Sequence, residues 1–259
     1  MNSPPPSLNT MISLAISAGT EIMSVYASDF AVRAKSDFSP VTEADEAAER
    51  IILAGLAKAD PATPIISEEA YSAGRREPVG DRFYLVDPLD GTREFLSRNG
   101  EFTVNIGVIE KGEPAAGVVF APALSYIYAG RVGSGVWKAQ VLDGTPENWT
   151  AITSRVTPPE GPTVIASRSH LDPETQKFLK KIKPRQLNSA GSSLKFCRIA
   201  EGSADLYPRF GRTMEWDTAA GHAILLASGG KVLMENGNPL RYGKVERGFD
   251  NPAFIASGR

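Results

Sequence analysis

The sequence predicts an α+β chain that passes into an α/β unit. Three observations carry this. Positions 8–56 hold two helical patterns with apolar faces. Strand-like runs separated by short turns crowd positions 102–138, as in an antiparallel meander. Beyond the proline-rich segment 158–162, strands and helices alternate, the pattern of parallel strand pairs. That segment divides the chain into an N-terminal domain, 1–157, and a C-terminal α/β domain, 158–259.

Taken in order, the Pro/Ser-rich start, 1–8, reads as a frayed end. Leu8, Met11, Ile12, Ala15, Gly19, Ile22, Met23 and Tyr26 then recur at helical spacing. Positions 35–41 form a linker, and a second helix starts near Thr42 with an apolar face of Ala44, Ala48, Ile51, Ile52 and Leu56. The run 64–69 is a short strand ending on Glu68 and Glu69. Phe83 to Val86 form a second strand that ends on Asp87. Gly91-Thr92 opens a turn or short helix, and strands follow at 102–109, 115–121, 124–129 and 133–138. The C-terminal part reads as strands at 163–166, 204–207, 231–234 and 253–256, with helices at 173–182, 194–201 and 218–227.

Composition narrows the chemistry. The chain has 259 residues and a net charge of −2, which offers no basic field to a nucleic-acid polymer. Cys197 is the sole cysteine, so an intramolecular disulfide and a cysteine-based zinc site are excluded. With only His170 and His222 as histidines, any metal must be held mainly by oxygen. No positive segment precedes the apolar stretch 11–16, and no run approaches a membrane span, so a cytoplasmic protein without an integral membrane segment is expected.

Five acids stand at strand ends or helix starts: Asp45, Glu68, Asp87, Asp90 and Asp217. Singly, each has a structural reading. Asp45 lies three residues after Thr42, the capping-box offset. Asp87 and Asp90 are common turn formers, and Asp217 suits a helix start. Together they suit a hard cation, which wants carboxylate and carbonyl oxygens. Convergent carboxylates raise one another's pKa, and a cation relieves this. The Gly91-Thr92 backbone next to them offers N–H groups to a phosphate.

These segments resemble the inositol monophosphatase superfamily: Asp87-Pro-Leu-Asp-Gly-Thr, Trp216-Asp-Thr-Ala-Ala-Gly, Ser67-Glu-Glu and Pro40-Val-Thr-Glu-Ala-Asp. The resemblance runs from about Lys35 to the C-terminus. It implies the layered α-β-α-β-α sandwich of the sugar phosphatases and a lithium-sensitive, Mg²⁺-dependent phosphatase with about two to three ions. Within the superfamily, several stretches resemble the bacterial 3′(2′),5′-bisphosphate nucleotidases. They are Thr92-Arg-Glu-Phe, Asn99-Gly-Glu-Phe-Thr-Val-Asn-Ile, Ser167-Arg-Ser-His, Leu206-Tyr-Pro-Arg-Phe-Gly and Gly191-Ser-Ser-Leu-Lys-Phe-Cys-Arg-Ile-Ala-Glu-Gly. Inositol-directed relatives place an acid after the segment corresponding to Ala204-Asp-Leu-Tyr, whereas this chain has Arg209 there. An arginine suits a second phosphate better than a neutral polyol.

The resemblance implies roles. Glu68, Asp87, the Leu89 carbonyl, Asp90 and Asp217 would hold metal, and Asp45, Thr92 and Glu68 would carry catalysis by in-line attack of metal-activated water. Gly91 and Thr92 would contact the scissile phosphate, with Asp217 beside them. His170, Ser192, Lys195 and Arg209 would hold the nucleotide and its 5′-phosphate. The implied reaction removes the 3′-phosphate of 3′-phosphoadenosine 5′-phosphate (or its 5′-phosphosulfate) to leave AMP, the nucleotide bisphosphate being the small-molecule partner. Bland readings stay open: Lys195 as a solvated helix lysine, His170 as a cap on the helix after Asp172, Cys197 as core and His222 as packing. A broad inositol-phosphate or fructose-1,6-bisphosphate phosphatase is the rival reading, and a catalytically silent nucleotide sensor a second. A monomer or homodimer is expected, compatible with peripheral association with an inner membrane.

Overall fold

A computed structural model describes residues 3–28, 32–34, 40–167 and 172–259. Its helices are α1 (Asn9–Tyr26), α2 (Glu43–Ala59), α3 (Glu68–Ser72), α4 (Thr92–Leu96), α5 (Pro173–Ile182), α6 (Leu194–Ala200) and α7 (Glu215–Ala227). Its strands are β1 (Val32–Ala34), β2 (Pro40–Thr42), β3 (Ile65–Ser67), β4 (Arg82–Asp90), β5 (Thr103–Glu110), β6 (Glu113–Ala121) and β7 (Tyr126–Arg131). They continue with β8 (Gly135–Leu142), β9 (Thr145–Ala151), β10 (Thr163–Ser167), β11 (Gln186–Ala190), β12 (Leu206–Arg209), β13 (Lys231–Met234) and β14 (Phe254–Ser257). A seven-stranded sheet runs β3-β4-β5-β6-β7-β8-β9, and a five-stranded sheet runs β11-β10-β12-β14-β13. Helices α1 and α2 cover one face of the larger sheet, α6 and α7 lie between the sheets, and α5 packs on β12. The layers are therefore α-β-α-β-α, as expected.

Period-two alternation sorts β4 between two cores. Tyr84 and Val86 face α1 and α2, while Phe83 and Leu85 face α6 and α7. Continued by one more step, the alternation puts Asp87 on the α7 side. The same logic in β5 sends Val104, Ile106 and Val108 to the outer helices and leaves Thr103, Asn105 and Gly107 facing inward. Gly107, Gly117 and Gly130 are register partners across β5, β6 and β7. An added Cβ at Gly117 would lie 2.3 Å from the Ala220 carbonyl oxygen, and one at Gly107 2.8 Å from Ala219 Cβ. This track of missing side chains lets α7 lie on the sheet at close range. The close seat is what brings the first turn of α7 over the end of β4.

Several expectations need correction. The 1–8 segment is not simply frayed, because Pro6–Leu8 form a 3₁₀ turn and Leu8 is fully buried. The larger sheet is not wholly antiparallel, since β3 pairs parallel with β4. The smaller sheet is mixed: β10 runs parallel to β11 and β12, but β14 is antiparallel to β12 and β13. Strands β9 and β11 carry no strand pattern in the sequence. Both are edge strands with one partner each and largely unburied residues, so neither needs an apolar alternation, and β9 even tolerates Pro146. The linker expected at 35–41 lies partly outside the described residues. Among the described residues, no helix is long and apolar enough to cross a membrane.

Candidate active site

Four of the five acids, Glu68, Asp87, Asp90 and Asp217, meet in a cleft of about 630 Å³ between the sheets. Asp87 ends the regular pairing of β4 with β5, and a bulge between Asp87 and Asp90 re-aims the strand end. Asp87 is buried, and its Oδ1 accepts the Leu89 N–H at 3.0 Å. Glu68 opens α3 directly after β3, the parallel neighbour of β4. Asp217 sits in the first turn of α7, where its Oδ2 accepts the Met214 N–H at 2.8 Å. Carboxylate oxygens of Glu68, Asp87 and Asp217 all lie within 4.8 Å of one another. This is an all-oxygen set of the kind a hard divalent cation takes.

The electrostatics agree with that fit. Burial, reinforced by the Asp90 and Glu68 charges, holds the Asp217 carboxyl well above the usual carboxylate range. Asp90 is pushed up to about 6, by burial first and by Glu94 and Glu68 as well, while Lys195 and Asn105 pull it back. Bringing so many acids together is costly unless a cation shares the space. Asp90 lines the same cleft but stands outside the tight trio, with its Oδ2 accepting from Asn105 Nδ2 at 3.3 Å.

The remaining expected residues fall as follows. Leu89, Gly91 and Thr92 line the cleft. Gly91 has φ 91°, a left-handed turn that glycine adopts freely, and it caps the start of α4 at Thr92. Asp45 is buried, and its Oδ2 accepts both the Thr42 N–H at 2.8 Å and the Thr42 hydroxyl at 2.7 Å. The capping box read from the sequence is thus formed, and Asp45 is not among the residues that line the cleft. Ser192, Lys195 and Arg209 all line it. His170 lies outside the described residues. His222 is buried with its Nδ1 3.0 Å from the Tyr242 hydroxyl, and Cys197 is buried core.

Ser192 has φ 48° and its buried Oγ has no hydrogen-bond partner. Lys195, from the first turn of α6, does not reach solvent: its Nζ donates to the carbonyls of Ser192 at 2.6 Å and Ala190 at 3.3 Å. Burial pushes this ammonium down to about 8, against the pull of Asp90. Arg209 ends β12; among the described residues its guanidinium makes one hydrogen bond, Nη2 to the Arg212 carbonyl at 2.7 Å, and its buried Nε has no partner.

Two supporting residues escaped the sequence reading. Glu49 of α2 accepts from the Ser67 hydroxyl at 2.5 Å and from the Ala70 N–H at 3.0 Å, both through Oε1. It therefore caps α3 from another helix and holds the Ser67 side chain and the Ala70 backbone on either side of Glu68. Glu215, fully buried at the start of α7, accepts the N–H groups of Gly243 and Lys244 and pairs with the Lys244 ammonium at 2.6 Å. It anchors the turn that carries Asp217. The signal for Glu49 was its place on the buried side of α2, one turn after Asp45. For Glu215 it was an acid set between Met214 and Trp216.

Fold and cleft define a layered phosphatase with an acidic cation site at the mouth of its larger sheet. The sequence pattern of the inositol monophosphatase family matches residues 5–254, and the chain belongs to that family. It is 46% identical over 257 residues to the 3′(2′),5′-bisphosphate nucleotidase CysQ of Salmonella typhimurium, covering 95% of this chain and 98% of that protein. With CysQ of Escherichia coli K12 it shares 44% identity over 260 residues, 96% of this chain and 99% of that one. The crystal structure of CysQ from Bacteroides thetaiotaomicron superposes with a TM-score of 0.80 at 36% identity, covering 96% of this chain and 97% of the other.

Proposed function

We propose that the protein is a Mg²⁺-dependent 3′(2′),5′-bisphosphate nucleotidase that removes the 3′-phosphate of 3′-phosphoadenosine 5′-phosphate to give AMP and phosphate. One observation carries this reading. Among the described residues, the only buried side-chain polar atoms without a partner are Ser192 Oγ and Arg209 Nε, and both belong to the cleft that holds the acids. A single cleft thus pairs a cation-seeking acidic end with an unspent arginine donor. A substrate with two phosphates fits both ends. Its scissile phosphate goes to the acids, and its second phosphate goes to the arginine, whose fork matches phosphate oxygens. The likeness to the CysQ proteins supports the same assignment.

Glu68, Asp87, Asp217, Asp90 and the Leu89 carbonyl would hold the ions, about two to three in number. When bound, Mg²⁺ neutralises charge on phosphoryl oxygens and lowers the pKa of water. The chain's own residues do the rest. Gly91 and Thr92, at the start of α4, bind the scissile phosphate, and Thr92 orients the attacking water; Asp45, which does not itself line the cleft, takes the proton by way of the Thr92 hydroxyl. Cys197 and His222 are buried away from the cleft, which leaves neither the thiol nor that imidazole placed as a covalent nucleophile and favours direct displacement with inversion at phosphorus. Arg209, Ser192, Lys195 and His170 hold the nucleotide. The active species is a cytoplasmic monomer or homodimer.

The test compares kcat/KM for 3′-phosphoadenosine 5′-phosphate, inositol 1-phosphate and fructose 1,6-bisphosphate, with and without Mg²⁺ and lithium. The nucleotide is expected to lead. A preference for inositol phosphate overturns the substrate assignment, and retained turnover in chelator overturns the metal assignment.

A further inference from the structure

The inward face of β5 carries a polar chain that the reaction above does not use. Asn105, fully buried, donates from Nδ2 to Asp90 Oδ2 at 3.3 Å. Its Oδ1 accepts from Ser193 Oγ at 2.6 Å and from Thr103 Oγ1 at 3.2 Å, and the two hydroxyls are 2.9 Å apart. Ser193 belongs to the other half of the fold: it precedes α6 and follows Ser192 directly. The hydrogen count orients the amide. Each hydroxyl has a single proton, and the shortest contact assigns that of Ser193 to Asn105 Oδ1. With its carbonyl held there, Asn105 must present its amino group to Asp90. A flipped amide would turn the carbonyl oxygen on a carboxylate.

We infer that Asn105 is a positioning residue whose amide, pinned by Ser193 and Thr103, ties the substrate loop 191–193 to Asp90, so that a hydroxyl on the loop sets the affinity of the acidic site for a divalent cation. The inference rests on the metal assignment above. Its distinctive consequence is that Ser193, whose hydroxyl bonds Asn105 and Thr103 and not an acid, controls metal binding before substrate arrives. It does so because loss of its hydroxyl frees the amide to rotate. The partners that orient a carboxylate ligand influence the metal in this way generally.

The experiment is isothermal titration calorimetry of Mg²⁺ into the full-length protein without substrate, for wild type, Ser193→Ala, Ser193→Thr, Asn105→Ala and Ser193→Ala/Asn105→Ala. Thermal melts establish that each variant is folded. Ser193→Ala and Asn105→Ala are expected to weaken Mg²⁺ binding roughly 10- to 100-fold each. The double variant should be no weaker than Asn105→Ala, and Ser193→Thr, which keeps the hydroxyl, should bind as wild type. Should Asn105→Ala fail to fold, the Ser193→Ala and Ser193→Thr pair decides. Wild-type affinity in Ser193→Ala, or losses that multiply in the double variant, overturns the relay while leaving the metal site standing. A wild-type protein that binds no Mg²⁺ overturns both together, which separates the two failures.

Discussion

Replacing Arg209 by alanine isolates the second-phosphate end of the cleft. One guanidinium donor, Nη2, is already spent on the Arg212 carbonyl at 2.7 Å, which aims the side chain without saturating it. The buried Nε has no partner, so a bound phosphate gains a charged hydrogen bond and relieves an unsatisfied donor in the same step. A hydrogen bond to a charged group contributes about 1.5–3 kcal/mol. The expected loss in kcat/KM for 3′-phosphoadenosine 5′-phosphate is therefore roughly 10- to 150-fold, at 1.4 kcal/mol per factor of ten. Adenosine 3′-monophosphate keeps the scissile phosphate and lacks the other, so its kcat/KM should change by less than about threefold. The assay is phosphate release under single-substrate conditions, run in parallel with Arg209→Lys. Lysine keeps the charge but not the fork and should recover only part of the loss. Equal losses for the two nucleotides would remove Arg209 from the 5′-phosphate site.

Glu49→Ala should weaken Mg²⁺ binding roughly 10- to 100-fold, the usual cost of losing a residue that orients a ligand; an unchanged calorimetric Kd would show that α3 holds Glu68 unaided. Gly117→Ala should cost about 1–3 kcal/mol by forcing α7 off the sheet, lowering Tm by about 2–10 °C, whereas Gly80→Ala, with open space around it, should be neutral. Mg²⁺ binding should weaken as pH falls through about 6, where Asp90 takes up a proton, with proton release on binding measured in buffers of different ionisation heat; a pH-independent Kd from 7 to 5 would contradict the crowded-acid picture. Burial pushes the His222 imidazole down to about 3, so the folded protein refuses a proton that the unfolded chain accepts near 6.5. Stability from this residue is complete above about pH 6.5 and declines as pH falls towards 3, so the Tm of His222→Gln should depend less on pH across that window than that of wild type.

Much of the site was legible because its acids are local in the chain. Asp87, Asp90 and Gly91 share one strand end and turn, and the pattern of an apolar run stopping at a carboxylate marks them directly. The capping box at Thr42 and Asp45 was equally local, and the structure forms it. Glu49 was not legible, since its partners Ser67 and Ala70 lie 18 and 21 residues away and its role exists only when α2 packs beside α3. Nor was the N–H capping by Glu215, or the bond from Ser193 to Asn105 across 88 residues. Lys195 shows the same division: its sequence position allowed a solvated helix lysine, and only the fold buries it against the Ser192 and Ala190 carbonyls.

By itself, the sequence determined the layered order of helices and strands, the all-oxygen character of the cation site and the family, because periodicity, residue chemistry and motif order are properties of the chain. The tertiary structure alone decided which acids converge. Glycines in register across three strands let α7 approach the larger sheet, and that approach brings Asp217 within reach of Glu68 and Asp87. It also decided which polar atoms stay unsatisfied, because whether Ser192 Oγ and Arg209 Nε find partners depends on what packs around them and not on their neighbours in sequence.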